Sequence, residues 1–364
     1  MTKSLLLAAS LLTTTMQLQA SEPLTYQFDG PYVFDNPAVS KTATQTDKPQ
    51  TAYWICNAKL QSTVISNNSL KRPDNCGQLP EPQLSDAIKQ VMPDSYSGVT
   101  NIVALSDVHG QYDVLITLLR KQNIIDTNNN WAFGDGHMVI TGDMFDRGDK
   151  VNEVLWFVYQ LDKQAKAAGG MLHLLMGNHE QMVLGGDLRY VHKRYDLASQ
   201  LMAKTNDELY GEDTEIGQWL RSKHTIVKIN DVLYMHGGIS SEWLDRGLTI
   251  AQANRLFRDN IGRPKSELKQ DELLNFLFYG NGPTWYRGYF KDNFTETELD
   301  KILAYFKVNH ITVGHTSQKQ VLGLFNNKVI AIDSSIKLGK QGELLLIENN
   351  QFSRGLFDGS RQAL

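Results

Sequence analysis

The chain is organised around the stretch Gly142-Asp143-Met144-Phe145-Asp146-Arg147-Gly148. It follows an apolar run at residues 137–141, which is typical of a buried strand, and it precedes a helical pattern at residues 151–168. Two carboxylates and one guanidinium are therefore held together between a strand and a helix, where sheet proteins usually carry their sites. Packing alone rarely requires this combination, because charged side chains are seldom buried unless they are paired.

Two further loops repeat this pattern. Upstream, an apolar run at residues 102–105 ends in Ser106-Asp107-Val108-His109-Gly110, and downstream a run at residues 171–176 ends in Gly177-Asn178-His179-Glu180. Each loop lies between a strand pattern and a helical pattern, so we expect the three loops to converge at one sheet edge. Carboxylate, imidazole and amide oxygen together suit zinc, manganese or iron. Each motif alone is also typical of an ordinary turn, and only their joint occurrence favours a site.

The order of these motifs resembles that of the phosphoprotein phosphatases in the binuclear metallophosphoesterase superfamily. Two later pieces, Met235-His236-Gly237-Gly238 and Val313-Gly314-His315-Thr316, extend the resemblance over most of the chain. Among the subfamilies the chain is similar to the bacterial Shewanella-like protein phosphatases, which share the Gly-His-Thr ending and the piece found here as Trp285-Tyr286-Arg287. Ser106 stands where the family usually has glycine, at a position that supplies backbone and no ligand.

The resemblance implies a site for two divalent metal ions. The first ion would be bound by Asp107, His109 and Asp143, and the second by Asp143, Asn178, His236 and His315. Asp143 would then bridge the two ions. Zinc, iron and manganese all accept such ligands, so the sequence does not choose between them.

The same resemblance assigns the remaining site residues. His179 would protonate the leaving oxygen, and Asp146 would orient its ring, because a carboxylate on one ring nitrogen fixes the tautomer. Arg147, Arg287 and Asn178 would contact the phosphoryl group, which a planar guanidinium can bind through two oxygens.

These residues predict a metal-dependent protein phosphatase that hydrolyses phosphate monoesters by direct attack of metal-bound hydroxide. A preference for phosphotyrosine rests on the subfamily resemblance. One alternative is a dinucleoside polyphosphate hydrolase, which shares the first three motifs, and another is a metal-binding module without catalysis. A thiolate phosphatase is excluded, because neither cysteine is followed by arginine six positions later.

Repeated strand and helix patterns predict an α/β fold, and the resemblance implies a four-layer αββα sandwich of two mixed sheets flanked by helices. The catalytic domain would span residues 99–364. A helical pattern at residues 185–223 predicts a cap beside the site, from which His192 is the histidine expected to approach the cleft. Short Asn-rich turns predict hairpins at residues 225–235 and 321–332, and residues 342–348 are expected to form the last strand.

The N-terminal part of the chain has a different character. A charged start, an apolar core and small residues before Ser21 predict a signal peptide at residues 1–20 and an exported, periplasmic or secreted protein. Residues 21–98 would form an extension, with an exposed linker at residues 36–51 and an edge strand at residues 52–56. Cys56 and Cys76 are the only cysteines. They could form a disulfide in an oxidising compartment or remain as two buried thiols.

Composition limits the partners. The chain has 364 residues, of which 41% are hydrophobic, and its net charge is −4 without a basic stripe. We therefore expect a normal core and no nucleic-acid partner. Beyond the signal peptide, no stretch approaches the roughly 20 apolar residues of a membrane span. The expected partner is a phosphorylated protein or peptide, and nothing in the sequence indicates an oligomeric state.

Overall fold

The computed structural model describes residues 26–36, 49–65 and 67–364. The predicted signal peptide and most of the predicted linker lie outside these residues. The strands of the described part are β1 (Phe28–Asp35), β2 (Gln50–Cys56), β3 (Lys59–Val64), β4 (Ser95–Tyr96), β5 (Asn101–Leu105), β6 (His137–Ile140), β7 (Met171–Leu174), β8 (Ile226–Ile229), β9 (Val232–Met235), β10 (His310–Val313), β11 (Leu322–Leu324), β12 (Val329–Ala331), β13 (Leu344–Glu348), β14 (Gln351–Gly355) and β15 (Arg361–Ala363).

The α-helices of the same residues are α1 (Tyr112–Lys121), α2 (Val151–Ala167), α3 (Asn178–Leu184), α4 (Asp196–Met202), α5 (Glu215–Arg221), α6 (Ser241–Arg246), α7 (Ile250–Asn260), α8 (Lys265–Leu268), α9 (Glu272–Phe278) and α10 (Glu296–Phe306). None of the described helices has both the length and the apolar character needed to cross a membrane.

Two six-stranded mixed sheets form the centre of the molecule. One has the order β15-β14-β13-β5-β6-β7, and the other has the order β11-β12-β10-β9-β8-β4. Strands β5, β6 and β7 are parallel in the first sheet, as β9, β10 and β12 are in the second. The two predicted hairpins are confirmed, since β8 pairs antiparallel with β9 and β11 with β12.

The central strands are buried on both faces. Ile102 and Ala104 of β5 pack with Val227 and Tyr234 of the opposite sheet. The alternate residues of the same strands, such as Val103, belong to the larger core that includes the helices. This arrangement confirms the four-layer α/β sandwich, and it explains why these strands are continuously apolar in sequence.

The sandwich brings five loops to one edge. Asp107, Asp143 and Asn178 follow β5, β6 and β7, while His236 and His315 follow β9 and β10. Parallel strands end at the same edge of a sheet, and ligands bind there in open α/β sheets. The predicted site residues are therefore delivered to one place by the topology.

Two strand predictions were wrong. Residues 52–56 belong to β2, which is the central strand of a separate sheet and pairs with both β1 and β3. The strand at Leu344–Glu348 is not the last, because β14 and β15 continue the sheet beyond it. These two strands are half-exposed or exposed along most of their length, so they lack the strong apolar pattern from which buried strands are recognised.

The N-terminal sheet is held to the sandwich by buried contacts. Cys56 and Cys76 form the predicted disulfide. The Trp156 indole N–H of α2 donates to the Pro31 carbonyl over 2.8 Å, and the Asn152 amide donates to the Asp29 carboxylate over 2.8 Å. The sheet is thus packed directly on α2, the helix that follows the Asp143 to Gly148 loop.

Candidate active site

Asp143 lies at the centre of the cluster that the predicted site residues form. Its Oδ2 lies 3.2 Å from His236 Nε2, 3.5 Å from His109 Nε2 and 3.9 Å from His179 Nε2. Its Oδ1 accepts the backbone N–H of His179 over 3.0 Å. The residue is 2% exposed. One buried carboxylate therefore touches imidazoles from three different loops, as a bridging ligand must.

Two overlapping groups of side chains have the geometry of metal sites. One contains His109, Asp143 and His179, and the other contains Asp143, His236 and His315. In the second group, His236 Nε2 is also 2.8 Å from Asn178 Oδ1 and 3.1 Å from His315 Nδ1. Ligands bound to one ion at about 2.1 Å lie roughly 3.0–3.4 Å apart. The second group has this spacing, and the first group is slightly wider, with distances of 3.5 and 3.9 Å from Asp143 Oδ2 to His109 and His179. Both groups can therefore surround a divalent ion, one on each side of Asp143.

Asp107 lies beside the first group and is held by the backbone of another loop. Its Oδ1 is 3.8 Å from His109 Nε2, and its Oδ2 accepts the His315 backbone N–H over 2.9 Å. Ser106 Oγ donates to the same Oδ2 over 2.6 Å and accepts a hydrogen bond from Thr141 Oγ1 over 2.8 Å. Ser106 therefore orients Asp107 with its side chain, and this role could not be predicted from the motif alone.

Gly314 shows how closely these loops approach. A Cβ on Gly314 would lie 1.9 Å from Ser106 Oγ and 2.8 Å from Asp107 Oδ2. A side chain here would displace Ser106 and Asp107, so position 314 of this chain requires glycine for steric reasons.

The cluster is electrostatically arranged for cations. Burial lowers the pKa of His109 to about 3 and that of His315 to about 2, so both rings are neutral ligands near pH 7. His236 differs, because burial opposes its charged form but the Asp143 carboxylate raises its pKa to about 9. The proton on His236 and a divalent ion would compete for the same buried atoms.

His179 and Asp146 form a hydrogen-bonded pair. His179 Nδ1 lies 2.5 Å from Asp146 Oδ2, and both residues are buried. Burial raises the pKa of Asp146, an effect that its contact with His179 opposes. Because Nδ1 is engaged, Nε2 is the ring nitrogen that can exchange a proton with a substrate.

The two predicted arginines lie on opposite sides of the cluster, and both are exposed. Arg147 Nε is 3.3 Å from His109 Nε2, and its terminal nitrogen is 3.3 Å from His179 Nε2. Arg287 instead donates to the His315 carbonyl over 2.8 Å and to Thr316 Oγ1 over 3.1 Å. An anion above Asp143 would therefore meet a guanidinium from either side.

The site residues share an uncommon backbone conformation. Positive φ angles between +46° and +71° occur at Asp107, His109, Asp143, Asp146, Arg147 and His315. For residues other than glycine this conformation costs on the order of 1–3 kcal/mol each and is concentrated at functional sites. The surrounding sheets must offset that strain. The positive φ angles turn the side chains toward the cluster, a direction that an extended backbone would not give them.

Glu180 holds two of the site loops together, a role that its place in the Gly-Asn-His-Glu motif does not reveal. It is fully buried. Its carboxylate accepts the backbone N–H groups of Asp143, Met144 and Gly177 over 2.8, 2.6 and 2.7 Å. The position of Asp143 therefore depends on Glu180.

Replacing Glu180 with alanine is expected to lower the free energy of unfolding by more than about 3 kcal/mol, because each buried N–H left unpaired costs about 1–3 kcal/mol. Urea unfolding of the purified variant measures this. Glu180→Gln, which keeps one carbonyl oxygen as an acceptor, is the matched control and should lose less. Unchanged stability in Glu180→Ala would contradict the role.

Tyr190 of the helical cap contacts the cluster. His192, expected near the cleft from the sequence, lines a small cavity together with Asp146. It also accepts the Arg194 backbone N–H at 3.2 Å and packs against Tyr26. The Tyr190 ring lies 5.4 Å from the His179 ring. No sequence pattern distinguishes this tyrosine from the others.

Residues 100–319 match the family of calcineurin-like phosphoesterases. A cold-active protein-tyrosine phosphatase from a psychrophilic Shewanella species, known from its crystal structure, is 66% identical in sequence to this chain. The two structures superpose with a TM-score of 0.89, and the match covers 93% of this chain and 99% of that chain. Shewanella-like protein phosphatase 1 of Plasmodium berghei is 29% identical over 249 residues, which are 65% of this chain and 67% of that protein.

Shewanella-like protein phosphatase 2 of Arabidopsis thaliana is 24% identical over 305 residues, covering 71% of this chain and 77% of that protein. The family implies divalent metal ions, and the clusters around Asp143 fit them. The chain belongs to the calcineurin-like phosphoesterase family.

Proposed function

We propose that this protein is a metal-dependent protein phosphatase that hydrolyses phosphotyrosine in preference to phosphoserine. The observation that carries the proposal is the Asp143 carboxylate, which lies between 3.2 and 3.9 Å from three imidazoles, with Arg147 and Arg287 exposed on either side. The preference for phosphotyrosine is supported by the 66% identity to a protein-tyrosine phosphatase.

The proposed cofactors are two divalent ions that share Asp143. Asp107 and His109 would complete the first site, and Asn178, His236 and His315 would complete the second. When bound, such ions neutralise phosphate charge and lower the pKa of water. Zinc, iron and manganese remain the candidates, because nitrogen and oxygen ligands accept all three.

The side chains of the protein would then act on the substrate directly. Arg147 and Arg287 bind the nonbridging phosphoryl oxygens and hold the phosphorus atom over Asp143. Water attacks phosphorus in line with the ester bond and gives one proton to the solvent as that bond breaks. His179, protonated on both ring nitrogens, gives the proton at Nε2 to the departing oxygen. Asp146 accepts the Nδ1–H and balances the charge of the protonated ring. The products are the free hydroxyl group and inorganic phosphate.

The test is kcat/KM of the metal-reconstituted protein on two peptides of the same sequence, one carrying phosphotyrosine and the other phosphoserine. A clearly higher value for phosphotyrosine is expected. Equal values would remove the proposed preference and leave a general phosphomonoesterase. Turnover of diadenosine tetraphosphate without turnover of either peptide would replace the proposal with the dinucleoside polyphosphate hydrolase, which is less supported.

We also propose that the protein is exported. The first twenty residues have the pattern of a signal peptide, and the Cys56–Cys76 disulfide suits an oxidising compartment. N-terminal sequencing of the protein from cell fractions tests this. A periplasmic or secreted form beginning at Ser21 is expected, and a cytosolic protein that retains Met1 would contradict it.

The proposed partners are phosphorylated proteins, with no nucleic acid or membrane.

A further inference from the structure

Tyr190 is an exposed aromatic side chain at the edge of the candidate site. It lies in the helical cap, and 45% of its surface is exposed, which is unusual for a large apolar ring. Two other tyrosines of the same cap, Tyr195 and Tyr210, are buried. An exposed ring beside a catalytic cluster is available to a substrate.

The contacts of Tyr190 hold it on one side of the cluster. Its ring centre is 5.4 Å from that of His179 and 5.4 Å from the Arg147 guanidinium carbon. Its carbonyl oxygen accepts the Arg147 backbone N–H over 2.9 Å. The Arg189 guanidinium lies 5.5 Å from the ring centre. The backbone of Tyr190 is therefore tied to the loop that carries Asp146 and Arg147.

The position of His179 determines which part of a substrate would contact the Tyr190 ring. A leaving oxygen that takes a proton from His179 Nε2 must lie within hydrogen-bond distance of it. In a phosphotyrosine the aromatic ring is bonded directly to that oxygen, so it comes to lie beside His179 and within reach of Tyr190. In a phosphoserine the same oxygen carries a methylene group, which has no ring face to pack against.

Trp285 is less suited to this contact. Its ring lies 5.8 Å from that of His315, on the opposite side of the cluster, and its indole N–H is bonded to Gln181 Oε1 over 3.3 Å. The departing group leaves from the side of His179. Tyr190 is thus the aromatic residue on the correct side.

We infer that Tyr190 is a specificity-determining residue that packs against the aromatic ring of an aryl phosphate ester. The inference rests on the proposed function and names how the site would select phosphotyrosine. Aromatic pairs with ring centres 4.5–7 Å apart are favourable beyond the area that they bury. Offset or edge-on packing of the substrate ring on Tyr190 provides such a pair.

The experiment compares wild type, Tyr190→Ala and Tyr190→Phe on matched phosphotyrosine and phosphoserine peptides. The ratio of the two kcat/KM values is expected to fall about threefold to tenfold in Tyr190→Ala. It should be retained in Tyr190→Phe, which keeps the ring. Tyr305→Ala, which removes another partly exposed tyrosine whose hydroxyl bonds to Leu248, should leave the ratio unchanged.

The outcomes separate a substrate contact from a structural role. If Tyr190 only supports Arg147, Tyr190→Ala lowers both kcat/KM values equally, the ratio stays constant and the inference is overturned. The inference is also overturned if the ratio of the two kcat/KM values falls as much in Tyr305→Ala as in Tyr190→Ala. A wild-type protein that hydrolyses neither peptide overturns the proposed function itself, which distinguishes the two failures.

Discussion

Replacing Asp143 with asparagine is expected to lower kcat/KM on a phosphotyrosine peptide by about a thousandfold or more. Asp143 is the carboxylate shared by both candidate ion sites, and asparagine keeps its shape but removes its charge. The ions contribute several kcal/mol of transition-state stabilisation, and each 1.36 kcal/mol corresponds to about a factor of ten in rate. Steady-state kinetics and elemental analysis of the purified variant check the prediction, with fewer than two bound ions expected.

Asp113→Asn is the matched control for this change. Asp113 is an exposed carboxylate in the first turn of α1, paired with Lys150 and outside the cluster, so its amide variant should keep both activity and metal. Chelation of the wild-type protein should reproduce the loss seen in Asp143→Asn, and added zinc, iron or manganese should reverse it. An Asp143→Asn protein that keeps two ions and full activity would refute the bridging role.

Replacing His179 with asparagine is expected to slow the hydrolysis of phosphoserine by about 10²–10⁴-fold, the usual contribution of a general acid. The loss on phosphotyrosine should be smaller. A phenol has a pKa near 10, well below that of an alkyl alcohol, so its oxygen can depart with less help from a proton. The measurement is kcat on the two matched peptides.

This variant also decides between two roles for the imidazole. His179 Nε2 lies 3.9 Å from Asp143 Oδ2, close enough to belong to a metal-binding group. If His179 acts as the acid, His179→Asn retains both ions, and Asp146→Asn shows the same dependence on the leaving group because the tautomer is no longer held. Loss of an ion would instead indicate a metal ligand, and equal losses on both peptides would contradict the role as the acid.

Much of the candidate site could be predicted before the structure. The motif residues follow short apolar strands, and parallel strands bring such loops to one sheet edge. The hairpin turns at Asn230 and Asn326 were predictable for a similar local reason, since asparagine tolerates the positive φ that both residues adopt. The strand ends and turns depend only on residues close together in the chain, whereas the roles of the site residues were predicted from the resemblance to a family.

Features that depend on distant residues were not predictable. The Glu180 carboxylate bonds to N–H groups 36 and 37 residues away, and the contact of Ser106 with Thr141 spans 35 residues. The N-terminal sheet was missed because β1 pairs with a strand beyond residues 37–48. The strands β14 and β15 are mostly polar, so their partners rather than their patterns define them.

The order of the candidate residues is visible in the sequence, because most of them lie in loops that follow short apolar strands, and the resemblance to a family suggested their roles. The orientation of those side chains depends on the tertiary structure. Packing between segments far apart in the chain holds the strained loops in place. It also brings the Glu180 carboxylate and the Ser106 hydroxyl to their hydrogen-bond partners. Tyr190 is one of 14 tyrosines, and only the fold places it beside His179.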